Sequence, residues 1–187
     1  MRLALWIGLF PVLLAADSYF PLQVGNRWVY RVNDRQSTSR YVVWRVTRVE
    51  SLEGTAWFVV QSGAGETRYR SDAEGRVYRL NPDQGEELWL DPTEPVSPRA
   101  LLTIESRGVA VGTPLGDFTD TLSYRRMMSL SLERGAFAAG VGLVTSRTTM
   151  LSGSSGGFLS SLDLVEAWLG PSRLLTSGSD GLELTVD

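Results

Sequence analysis

The sequence predicts an all-β protein, an antiparallel meander forming a curved sheet or open barrel and preceded by a signal peptide. Three observations carry that expectation. Apolar side chains recur at every second residue along most of the chain, the period of a strand with one buried face. The segments that do so are short and separated by Gly, Pro, Asn and Asp, the residues of tight turns. With about nine or ten such segments and few helical ones, the sheet must curl on itself to bury its apolar face.

The N-terminus addresses the compartment. Met1-Arg2 supplies one positive charge, and residues 3–16 form an uninterrupted apolar run, LALWIGLFPVLLAA. At about 1.5 Å per residue that run is too short for a hydrocarbon core of about 30 Å. It fits the apolar region of a secretory signal, with the small pair Ala15-Ala16 before the cut. A buried N-terminal helix is the alternative, and Pro11 counts against it. The expected division is a signal peptide over 1–16 and a single β domain over 17–187, exported to the periplasm or secreted. No transmembrane segment is expected after signal cleavage. No Cys stands near residue 16, so lipid attachment of the bacterial lipoprotein kind is excluded.

The strands follow in order. Trp28, Tyr30 and Val32 alternate with Val29 and Arg31. In Arg40–Val49, Val42, Trp44 and Val46 share a face opposite Arg45 and Thr47. Ala56–Gln61 is apolar on both faces, as a central strand is. Thr67–Ser71 and Arg76–Leu80 flank Asp72-Ala73-Glu74-Gly75, which reads as a four-residue hairpin loop and sets Tyr69 opposite Tyr78. That register also places Arg68, Arg70 and Arg79 on one face. Such a cluster needs either neighbouring acids, with Glu66, Glu86 and Glu87 at hand, or a bound anion. The acids are the favoured partners. Glu87–Leu90 is a short strand ended by Asp91-Pro92, and Pro92, Pro95 and Pro98 mark an extended loop. Thr121–Glu133 carries the clearest alternation, with Leu122, Tyr124, Arg126, Met128, Leu130 and Leu132 on one face. Val141–Leu151, Phe158–Leu169 and Leu182–Val186 complete the series. Phe158–Leu169 also fits a helical stripe, and its reading as a strand rests on its context.

Absences restrict the chemistry. The chain has no Cys and no His, and all 18 of its basic residues are Arg. Thiolate and imidazole nucleophiles, Schiff bases, Cys/His zinc sites, disulfides and a phosphate-loop lysine are therefore excluded. The net charge of −3 argues against a nucleic-acid binder. Gly153-Ser154-Ser155-Gly156-Gly157 matches a hydrolase nucleophile elbow in form, but its serine has no His or Lys to act as base. It reads as a hairpin loop. Asn81, Asp83, Gly85 and Glu87 faintly resemble a calcium loop, yet the run is too short and holds ordinary turn residues. No metal and no cofactor is expected, because clustered carboxylates and dinucleotide fingerprints are both missing. Carboxylate pairs remain open for glycoside hydrolysis, at separations of about 5–10 Å. The candidates are Glu86 with Glu87, Asp117 with Asp120, and Asp163 with Glu166, although neighbours on a strand point to opposite faces.

Three phrases together resemble a group of exported bacterial β-domains of uncharacterised function. Residues 20–30, FPLQVGNRWVY, are similar to the opening F-P-L-x-x-G-N-x-W-x-Y. Residues 113–122, TPLGDFTDTL, are similar to T-P-x-G-x-F-x-D-x-L. Residues 140–144, GVGLV, resemble the element A-P-G-V-G-L-V, with Ala139 in place of its proline. The resemblance implies an antiparallel sheet and export, and it transfers no catalytic residue. Read from the residues alone, Gly25-Asn26 launches a strand, Trp28 and Tyr30 anchor a core, and Gly140 and Gly142 permit a bulge or a close backbone approach.

These readings lead to an expected function. The domain is non-enzymatic and binds an apolar or amphiphilic small molecule in its concavity, or an envelope protein. The expected contacts are Arg126, Tyr124, Met128 and Trp28, with Arg126 at the rim of an apolar groove where it orients a head group. A charge on that face is costly unless it is solvated or meets an acid. Two rivals stand beside this reading. One is a secreted hydrolase using a carboxylate pair. The other is an envelope structural or assembly module acting through a sheet edge.

Overall fold

A computed structural model describes residues 18–35, 39–63, 65–94, 97, 99–151 and 157–175. The signal segment 1–16, Pro95 and Pro98, the Gly/Ser run at 153–156 and the strand expected at 182–186 lie outside the described residues.

Within them every regular element is a strand: β1 (Arg27–Asp34), β2 (Arg40–Leu52), β3 (Thr55–Ser62), β4 (Gly65–Ser71), β5 (Val77–Asn81), β6 (Gly85–Leu90), β7 (Thr103–Arg107), β8 (Val111–Thr113), β9 (Gly116–Phe118), β10 (Thr121–Met128), β11 (Ser131–Ala138), β12 (Gly142–Met150), β13 (Phe158–Leu169) and β14 (Ser172–Leu175). Twelve of them form one sheet in the order β6-β5-β4-β3-β2-β1-β13-β12-β11-β10-β7, with β14 added to β13 and β8–β9 as a separate hairpin. Two antiparallel meanders, β1 to β6 and β10 to β13, are thus joined by the pairing of β1 with β13.

The ends of this sheet meet. Leu101 and Leu102 donate their amides to the carbonyls of Leu88 and Trp89, each at 3.0 Å, and Leu90 bridges Leu102 in parallel. The result is a nearly closed antiparallel barrel. Bulges at Val29/Tyr30, Val46/Arg48 and Ala136/Phe137 supply part of the curvature.

The inward faces make the core. Trp28, Tyr30, Val46, Val60, Leu122, Phe137 and Leu164 are all buried, and Phe20 enters from the N-terminal side. The Phe20 ring stacks on Trp28 at 5.8 Å and meets Trp89 and Tyr69 edge-on at 5.1 and 5.2 Å. Aromatic contacts of this kind add to the area term of burial. The opening phrase of the sequence is therefore structural: Phe20 plugs the barrel, and Gly25 turns the chain at φ +96°. The buried Asn26 ties the turn down, its Nδ2 donating to Pro21 O and its Oδ1 accepting the Gly170 amide, both at 2.9 Å.

The middle phrase forms the β8–β9 hairpin, in which Thr113 Oγ1 accepts the Leu115 amide at 3.1 Å. At Gly142 the backbone takes φ +110°, and an added Cβ would lie 3.1 Å from the Trp28 indole nitrogen. Glycine is required there on both counts.

Three sequence expectations need correction. The loop between β4 and β5 has five residues, because Ser71 pairs with Val77. The Asp72 carboxylate holds Arg76 inside the loop, accepting its amide at 3.0 Å and its Nε at 2.7 Å. This shifts the register by one, so Tyr78 faces Arg70 and Tyr69 faces Arg79. Arg79 consequently lies on the inner face with Tyr69, opposite to Arg68 and Arg70. Acids do compensate all three: Arg70 reaches Glu86 at 2.5 Å and Arg79 reaches Glu87 at 2.7 Å as expected, whereas Arg68 reaches Glu50 at 2.7 Å and Glu66 pairs with Arg48 instead.

Last, Thr121–Glu133 is not one face. Ser129-Leu130 is a two-residue turn, so the inward parity switches from even to odd and Glu133 pairs with Arg126. Leu130 is then exposed at the turn, and Leu132 stands beside Met127 on the outer face. By contrast, Phe158–Leu169 is the continuous strand β13.

Candidate functional site

The barrel seam is joined over only part of its length. Pairing of β7 with β10 ends at Thr103↔Arg125, so Arg126 to Met128 pair with β11 alone among the described residues. On the other border, Gly85 to Glu87 of β6 pair with β5 alone among the described residues. Inward-facing side chains from both borders of this stretch are charged, and they form the candidate site.

From the β10–β11 side come Tyr124, Arg126 and Glu133. Glu133 Oε1 accepts the Tyr124 hydroxyl at 2.6 Å and the Ser146 hydroxyl at 3.0 Å, while Oε2 lies 3.8 Å from Arg126 Nη1. From the β4–β6 side come Tyr69, Arg79, Asn81 and Glu87. Glu87 accepts Arg79 Nη2 at 2.7 Å and Asn81 Nδ2 at 2.9 Å. The two halves sense each other electrostatically. Hydrogen bonds from Arg79 and Asn81 hold the Glu87 carboxyl below its usual range, and Arg126 adds to the effect. Burial pushes the Tyr69 phenol up to about 12, against the opposing influence of Arg79 and Arg126. Burial likewise raises Tyr124 well above the ordinary phenol value, with Glu133 reinforcing it.

Exposure separates the members of this cluster. The rings of Tyr69 and Tyr124 are buried, while the Arg126 and Glu133 side chains are 29% and 20% exposed. Arg126 is therefore both partly solvated and paired, the two ways a charge on this face becomes tolerable. Such a cluster can offer a guanidinium donor and a carboxylate acceptor to a polar group. No set of three or more acidic side chains placed to hold a metal ion occurs among the described residues. Next to the cluster, the tip of the β10–β11 hairpin exposes Met127 and Leu130, with Leu151 alongside through its amide bond to Leu130 O at 2.9 Å.

The four contact residues read from the sequence are thus distributed unevenly. Tyr124 and Arg126 converge on Glu133, and Met128 continues the same inward face toward the hairpin tip, half-buried. Trp28 is fully buried in the aromatic core, with its indole N–H bonded to Val141 O. The alternation pattern does not show the pairing of Arg126 with Glu133 or the electrostatic reach of Arg126 to Glu87. The turn at Ser129-Leu130 was the available signal for Glu133, because Arg126 and Glu133 are equidistant from it.

The fold is similar to that of a solved structure from Parabacteroides distasonis described as a putative lipoprotein. The TM-score is 0.51 at 13% sequence identity, over 82% of this chain and 99% of that one. A second crystal structure, described as a putative exported protein with a YmcC-like fold from Bacteroides fragilis, aligns at TM-score 0.48 and 13% identity, over 79% of this chain and 97% of the other. No family model matches the chain, and no curated protein matches it.

Proposed function

We propose that this protein is an exported, non-enzymatic β-barrel domain that binds an amphiphilic molecule at the open stretch of its seam. The observation that carries the reading is the adjacency of two surfaces. A partly exposed Arg126–Glu133 pair borders the seam on the inner face, and beyond the half-buried Met128 the hairpin turn presents Leu130, 65% exposed. A polar head group would meet Arg126, and an apolar portion would lie along Met128 and the hairpin tip. The buried aromatic core, Trp28 included, would hold the inner wall rigid behind them. Export is supported by the signal-like run at 3–16 and by the description of the Parabacteroides neighbour. This chain has no Cys, so an anchor of the lipoprotein kind is not part of the reading.

Titration of a fluorescent fatty acid against wild type and Arg126→Ala tests the site. Binding about tenfold weaker in the variant, or about 1.4 kcal/mol, is expected. Equal binding by both would remove Arg126 from the site. Binding by neither would put an envelope-protein partner in place of the amphiphile. Export is tested separately by intact mass of the periplasmic product, expected to begin at Asp17.

A further inference from the structure

A second charged surface lies on the outer wall, away from the seam. Most arginines of this sheet are matched to acids. Arg48 bridges Glu50 and Glu66, Arg68 meets Glu50, Arg70 meets Glu86, and Arg134 meets Glu105. Arg27 and Arg45 break the pattern. They are directly opposed across the β1–β2 ladder, on the outward face, and Arg45 is in turn opposed by the neutral Gln61 of β3. Neither has an acidic partner among the described residues.

The closest acid by register on the β13 side is Glu166, opposite Val29. It is already engaged by the Trp168 indole N–H and by Arg173 at 3.7 Å. Asp163, the next along, lies 4.0 Å from Arg31 and accepts Thr145. The Nε of Arg27 is buried and makes no hydrogen bond.

Directly opposed residues have Cβ atoms about 5 Å apart, and like charges at that spacing destabilise the ladder. Arg125, Arg134 and Arg147 are also opposed in a row across β10, β11 and β12, but Glu105 lies 3.9 Å from Arg125 and 3.4 Å from Arg134, and Arg147 covers the Phe158 ring. Arg27 and Arg45 face each other with no acid between them. They line an open groove of about 530 Å³, together with Arg40, Tyr41, Val43 and Gln61. Guanidinium groups present planar forks of donors suited to a tetrahedral oxyanion, and a buried donor without an acceptor is itself costly.

We infer that this groove binds a phosphate group, held between Arg27 and Arg45 with Gln61 as a neutral donor. The inference is independent of the seam, which lies elsewhere on the barrel. The same phosphate chemistry is offered by a small soluble phosphate and by the head group of an anionic lipid.

Titration calorimetry with inorganic phosphate, and co-sedimentation with phosphatidylglycerol against phosphatidylcholine vesicles, distinguish the sources. Both use wild type and Arg45→Gln at constant ionic strength. Phosphate binding weakened about tenfold or more in the variant is expected, and it would identify a soluble ligand. Binding only to phosphatidylglycerol, lost in the variant, would identify the head group. No binding in either assay, or binding unchanged in Arg45→Gln, would overturn the inference. The ligand-free variant gives a further check. Relief of the Arg27–Arg45 repulsion should raise its thermal midpoint above that of wild type at low salt, and a lower midpoint would mean that the pair is not a repulsive one.

Discussion

The indole Nε1 of Trp28 donates to the carbonyl of Val141 at 2.6 Å, across 113 residues of sequence. Two positions along β1, the hydroxyl of Tyr30 donates to Leu143 O at 3.0 Å. Val141 lies in the turn before β12 and Leu143 near the start of β12, ahead of the first β12–β13 pair, Thr145↔Asp163; the end of β13 beyond that point pairs with β14. Side chains from β1 thus give these buried carbonyls a hydrogen-bond donor, in a core where an unmet polar group is expensive.

Trp28 therefore has two separable roles, packing and donation. Trp28→Ala is expected to lose about 3–5 kcal/mol through the cavity it leaves. Trp28→Phe keeps most of the ring but orphans Val141 O, for an expected loss of about 1–3 kcal/mol. Urea denaturation followed by circular dichroism measures both. A Phe variant as stable as wild type would show that another donor reaches Val141.

Gly135 is required by proximity rather than by its backbone angles. A Cβ there would lie 2.4 Å from the Thr145 carbonyl oxygen and 2.7 Å from the Tyr124 ring. Gly135→Ala should cost about 1–3 kcal/mol or more, as overpacking does, and it should alter the near-ultraviolet signal of Tyr124. Gly25, at φ +96° with open space around it, is the comparison. Gly25→Ala carries backbone strain alone, about 1 kcal/mol, and should be the milder variant by the same denaturation measurement.

The reversal of parity at Ser129-Leu130 gives a direct contrast. Leu130→Ser is expected to stay within about 0.5 kcal/mol of wild type, because the side chain is at the surface. Leu122→Ala, in the fully buried face, should lose about 2–5 kcal/mol. Equal losses would mean that Leu122 and Leu130 share one face after all.

Stability should be flat between about pH 6 and 9, because the chain holds no His, Cys or Lys to titrate there. Hydrogen bonds from Arg68 and Arg48 lower Glu50, and those from Arg48 and Arg79 lower Glu66 and Glu87. Carboxylates lowered in the fold contribute stability above their unfolded value, about 4.3, and lose it as pH falls through the folded one. The buried phenols act in the opposite sense. Tyr69 is raised to about 12, and Tyr30 and Tyr124 are raised also. Their contribution is complete below about pH 10 and disappears as pH rises through the folded values. Thermal midpoints across pH 2–12 should trace both limbs, with the acid limb shallower in Glu50→Gln. A midpoint that changed steeply near pH 7 would contradict the assignment.

Fold class, most strand positions and the core face of β1 and β2 were legible in the order of residues alone. Those properties are local: side-chain direction has a period of two along any strand, so Trp28, Tyr30 and Val32 announce a buried face without reference to other strands. Residue content also showed which chemistries are absent, because residue types that are missing cannot be folded into place. Register and closure belonged to the tertiary structure. One additional loop residue, held by the Asp72 carboxylate, moved Arg79 from the outer face to the inner, and a two-residue turn brought Glu133 to Arg126. A shift of a single position exchanges every side chain between faces, and the turns that set it depend on individual hydrogen bonds rather than on hydrophobic pattern. The charged seam depended on one thing more. Glu87 and Arg126 are 39 residues apart in sequence and on different meanders, and they come together only because Leu101 and Leu102 join the two ends of the sheet.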